Sequence, residues 1–143
     1  MDNDTIRLLR ECDAGVKMGI NSIEEVLPKT ESEKLEETLC RCKEKHETIS
    51  DELKDLLKEK NDEGKDPSVI ADAMSTLKTE VKMMIDPSDG TIASLMTDGC
   101  NMGVKSLSRY LNEYSHADDS AKSLCRRLID LESDLAIDLR AYL

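Results

Sequence analysis

The segment Cys12-Asp13-Ala14-Gly15-Val16-Lys17 returns 88 residues later as Cys100-Asn101-Met102-Gly103-Val104-Lys105. Each copy lies inside an apolar series with helical spacing. Around the first copy run Ile6, Leu9, Val16, Ile20, Ile23 and Leu27, and around the second run Ile92, Leu95, Met96, Leu107, Leu111 and Tyr114. Residues three and four apart share one face of a helix, so both copies read as amphipathic helices. The segments that follow them also correspond. HETISDELKDLL from His46 to Leu57 lies over ESDLAIDLRAYL from Glu132 to Leu143, with Leu53 over Leu139, Leu57 over Leu143 and His46 over Glu132. Two similar helical hairpins are therefore expected, one over 4–61 and one over 90–142.

Between them, Asp66-Pro67 reads as an N-cap followed by proline at the first helical position. Ile70, Ala73, Met74, Leu77, Val81, Met84 and Ile85 give an amphipathic stripe, so a short crossover helix is expected over 67–86. Pro28 and the run Asp86-Pro87-Ser88-Asp89-Gly90 are the breaks. The 143 residues suit one core, so residues 1–143 are read as a single all-α domain, a four-helix bundle with pseudo-twofold symmetry.

The composition agrees. Aromatic residues make up 2%, all tyrosine, which leaves a β-sandwich or a base-stacking surface without its usual materials. A net charge of -11 repels phosphate backbones and anionic lipid, so neither nucleic acid nor membrane is expected as a partner. No apolar run approaches the ~20 residues of a membrane helix, and the N-terminus lacks the layout of a signal peptide. Five cysteines, an odd count, are expected to be free thiols or metal ligands in a cytoplasmic protein.

With its two hairpins, its crossover helix and the paired segments at 12–17 and 100–105, the chain resembles the ferritin-like superfamily, and most of all its small bacterial members of unknown function. The resemblance implies a four-helix bundle in which a crossover joins two helical hairpins. It also implies a di-iron centre built from carboxylates on two helices and Glu-x-x-His on the other two. This chain departs from that pattern. Lys43 stands three residues before His46, and the one other histidine, His116, follows Glu113 in the turn between the last two helices. Di-iron catalysis is not expected.

Polar residues nevertheless interrupt the apolar stripes. With hairpins turning near residues 29 and 116, Cys12, His46, Cys100 and Glu132 fall at one level, one from each long helix. A charge buried there needs a partner. One candidate is a metal ion, zinc or iron, held by these four residues in a mononuclear site. The other is a direct His46–Glu132 hydrogen bond, the commoner use of a buried histidine. Cys42 and Cys125 read as packing residues and Cys40 as a surface residue, while Asp13 and Asn101 read as solvated groups or as acceptors orienting the layer. Gly15, Gly19, Gly99 and Gly103 each weaken a helix interior by about 1 kcal/mol, so close approach of helices is expected there. The function expected is a binding or structural module with a degenerate metal site. A metalloenzyme using the mononuclear site is the alternative, and homo-oligomer formation stays open.

Overall fold

The computed structural model describes residues 3–65 and 88–143. Four helices account for most of them: α1 (Asn3–Val26), α2 (Glu33–Glu59), α3 (Asp89–Glu113) and α4 (Asp119–Leu139), with 3-10 turns at Leu27–Lys29 and Arg140–Tyr142. No strand occurs among the described residues, so the fold is all-α. The crossover helix expected over 67–86 lies outside the described residues. No helix among those described is long and apolar enough to cross a membrane.

Side-chain caps start three of the helices. Ser32 Oγ accepts from Leu35 N at 3.3 Å, Ser88 Oγ from Thr91 N at 3.2 Å, and Asp118 Oδ1 from Ala121 N at 2.9 Å. Each satisfies one amide that the first helical turn leaves without a partner. At the far end of α2 the chain leaves through Asn61 and Gly64, both at positive φ, and Gly64 at φ 86 adopts the conformation that glycine tolerates best.

Cross-hairpin contacts set the directions of the helices. The Asp89 carboxylate at the start of α3 accepts from Glu31 N at 2.8 Å and Ser32 N at 2.9 Å, in the loop between α1 and α2. At the opposite end, Asp4 Oδ2 accepts from His116 N at 3.1 Å and Thr5 Oγ1 from Asp118 N at 2.9 Å, in the loop between α3 and α4. Thus α3 runs antiparallel to α1, and the order is up-down-down-up. Helices α1 and α4 form the close diagonal, and α2 and α3 the far one. Lys65 N bonds Asp13 at 3.0 Å, while Ser88 adjoins the start of α3 beside residues 31 and 32. Lys65 and Ser88 therefore stand about 20 Å apart along α1, at 1.5 Å per residue.

The interior divides into two apolar clusters. Leu9, Cys12, Val16, Ile49, Leu53, Leu107, Cys125 and Leu128 belong to one, and Ile23, Leu39, Cys42, Ile92, Cys100, Leu135 and Leu139 to the other. Every helix crosses the boundary between the clusters at one place: between Val16 and Ile23, Cys42 and Ile49, Cys100 and Leu107, and Leu128 and Leu135.

Candidate functional site

Four residues occupy that boundary: Gly19 on α1, His46 on α2, Gly103 on α3 and Glu132 on α4. The α2 stripe Leu35, Leu39, Cys42, His46, Ile49 and Leu53 is buried throughout, so helical spacing carries the imidazole inside with its apolar neighbours. His46 Nε2 meets Glu132 Oε1 at 2.8 Å, with side-chain exposures of 1% and 12%. His46 Nδ1 lies 2.8 Å from the carbonyl oxygen of Cys42 and 3.5 Å from its sulfur. Gly19 makes room for this pair. A Cβ at Gly19 would stand 2.7 Å from His46 Nε2, closer than real atoms approach, and a Cβ at Gly103 would touch Glu132 at 3.6 Å. At Gly19 the weakening of the helix is offset by space for the ion pair, whereas at Gly103 a Cβ would make an ordinary contact.

Burial by itself disfavours a charged imidazole. Here the hydrogen bonds to Cys42 and Glu132, together with the Glu132 charge, outweigh it and push His46 up to about 10. His46 is thus an imidazolium at neutral pH, and both of its N–H groups have acceptors. Burial first, then the charge of the neighbouring Glu132 and hydrogen bonding to it, hold the Cys100 thiol above its ordinary range.

Of the four residues expected at one level, the structure brings His46, Glu132 and Cys100 together and leaves Cys12 apart. Cys12 is fully buried in the other cluster, against the Cys125 thiol. The first connection spans residues 27–32, about residue 29 as expected, yet its 3-10 turn over 27–29 and the extended residues up to the Ser32 cap offset the two helices along the bundle. His46 consequently lies opposite Gly19 and Lys43 pairs with Glu24 at 3.3 Å, which shifts the register by about two turns. The second hairpin turns where expected, so Cys100 keeps its level beside Glu132. Asp13 orients nothing in this layer. It is buried, accepting from Lys17 Nζ at 2.7 Å and Lys65 N at 3.0 Å.

Cys42 and Gly19 are the members of the site that sequence reasoning missed. The signal for Cys42 was its i, i+4 relation to His46, which places both on one face. Among the described residues no group of three or more His, Cys, Asp or Glu side chains is arranged to hold a metal ion. A groove between α2 and α4, lined by Glu52, Asp55, Asp119, Ser123 and Arg127, includes neither His46 nor Glu132. No protein-family model, curated protein or solved structure matches this chain.

Proposed function

We propose that the chain is a ferritin-like bundle in which a proton-holding His46–Glu132 pair stands in place of a metal centre, and that it serves as a cytoplasmic binding or structural module. One observation carries this reading: both nitrogens of the buried imidazole are already committed, Nε2 to Glu132 Oε1 at 2.8 Å and Nδ1 to the Cys42 carbonyl oxygen at 2.8 Å. A cation entering the layer has to displace the protons of His46 and Cys100, and both are held more tightly than usual. The di-iron pattern implied by a ferritin-like bundle does not fit either, because no Glu-x-x-His stands at the bundle centre. Support for the ferritin-like reading comes from the up-down-down-up order, in which the end of α2 and the start of α3 lie at opposite ends of the bundle.

Elemental analysis of protein purified without chelator or nickel resin tests the proposal. The expected result is well below one equivalent of zinc or iron, with a melting temperature that chelator leaves unchanged. Retention of one equivalent, lost in both His46→Ala and Cys100→Ser, overturns it in favour of a mononuclear metal site.

A further inference from the structure

The groove between α2 and α4 lies apart from the buried pair and encloses about 530 Å³. Its floor is apolar, since Leu124 is buried and Leu56 packs half-buried on the same cluster. Three carboxylates, Glu52, Asp55 and Asp119, line it against a single cation, Arg127. That cation is taken, because its guanidinium donates to both Glu52 oxygens at 2.9 and 2.7 Å. Among the described residues the Asp55 and Asp119 carboxylates have no such partner. The contacts His46–Glu132 and Glu52–Arg127 keep α2 and α4 in one antiparallel register. Asp55 therefore lies level with Leu124, and Asp119 stands five residues further along α4, about 7 Å at 1.5 Å per residue.

We propose that this groove binds a linear aliphatic diamine in its doubly charged form, with the methylenes on Leu56 and Leu124 and one ammonium at each of Asp55 and Asp119. The proposal names a ligand class for the binding module described above and rests on that reading. Charge and shape together select the occupant. Two separated carboxylates over an apolar floor complement two ammonium groups joined by an apolar chain, and about four methylenes span the separation. The hydroxyls of Ser120 and Ser123 offer further acceptors for the ammonium protons. Other cations fit less well. No group of three or more ligating side chains among the described residues is arranged to hold a metal ion. No aromatic ring lines the groove, so a methylated ammonium finds no cage. A protein partner needs about 800 Å² of surface on each side, whereas a cavity of 530 Å³ has the size of a small-molecule site.

The test titrates putrescine into the full chain at neutral pH and low salt, followed by calorimetry and by amide NMR shifts. Saturable one-to-one binding is expected, with the largest shifts at the groove residues of α2 and α4. Asp55→Asn and Asp119→Asn should each weaken binding about fivefold, the factor that one exposed ion pair supplies. Butylamine, which carries one ammonium on the same carbon chain, should also bind about fivefold more weakly. Glu37→Gln, toward the other end of α2, should leave binding unchanged and so controls for attraction to the net charge of -11. Magnesium chloride at matched ionic strength should not displace the diamine. Binding that fails to saturate, that survives intact in both aspartate variants, that falls equally in Glu37→Gln, or that magnesium displaces overturns the proposal. Should an aspartate variant not fold by circular dichroism, the map of amide shifts in the unaltered chain decides. A metal ion retained in the His46 layer defeats the earlier reading, and absent diamine binding defeats this one, so the two failures are distinct.

Discussion

His46 and Glu132 were legible as a pair because each interrupts an apolar stripe and a lone buried charge is costly. The level they share followed from the repeat, which lays His46 over Glu132. The contribution of Cys42 was not legible, since a cysteine on an apolar stripe reads as packing until the imidazole is seen to turn back on it. The pair makes stability depend on pH in a defined sense. The folded state holds the His46 proton up to about 10, whereas the ordinary value is 6.5. The stabilisation is therefore complete below about pH 6.5 and is lost as pH rises through the folded value. One extra proton held by the folded state gives a slope of about 1.4 kcal/mol per pH unit inside that window. Urea melts of the unaltered chain between pH 6.5 and 9.5 should show this decline. Glu132→Gln should lose on the order of 3 kcal/mol at pH 6.5, as expected when one partner of a buried pair is removed, and most of the slope with it. A slope that survives intact in the variant assigns the pH dependence to other groups.

The helices themselves were readable from periodicity, and three of their four starts carry a serine or aspartate cap that the sequence displays. Registers within hairpins were less accessible, because they depend on whether a connection is helical, 3-10 or extended. Pro28 announces a break and does not say which of these follows. The end of α2 shows what fixes the first hairpin instead. Asp13, 1% exposed, accepts the Lys65 amide, and Gly64 packs so closely on its carboxylate that a side chain there has no room. Outside this contact, Arg10 pairs with Asp62 and Lys65 with Glu11. The cations of these outer pairs are about half exposed, so the pairs contribute little. The buried acceptor dominates. Asp13→Ala is expected to weaken folding by about 2 kcal/mol, since a part-buried amide and the Lys17 ammonium lose their partner. Arg10→Ala should change it by less than about 1 kcal/mol. Equal effects in denaturant melts would mean that the surface pair, not Asp13, holds the loop.

At the scale of the molecule, each hairpin grips the loop of the other. Asp89 holds the amides of Glu31 and Ser32, and Thr5 holds that of Asp118. The repeat suggested this reciprocity only in outline, because it pairs helices and is silent on which side chains close the ends. The two grips lie at opposite ends of α1, about 35 Å apart at 1.5 Å per residue, with the polar layer between the two apolar clusters. That layout poses a question of cooperativity, because two clusters divided by a charged layer could melt separately. Tyr110 and Tyr114 pack on one cluster and Tyr142 on the other, so tyrosine substitutions provide a probe for each end. The continuous helices α1 to α4 cross the layer, and α1 and α4 meet on the close diagonal, so a single transition at both ends is expected. Thr5→Ala and Asp89→Ala should each destabilise by about 1 kcal/mol. With no shared contacts, the double variant should lose their sum to within about 0.5 kcal/mol. If each substitution instead lowers the melting of its own end alone, the His46–Glu132 layer divides the bundle into two folding units in place of joining them.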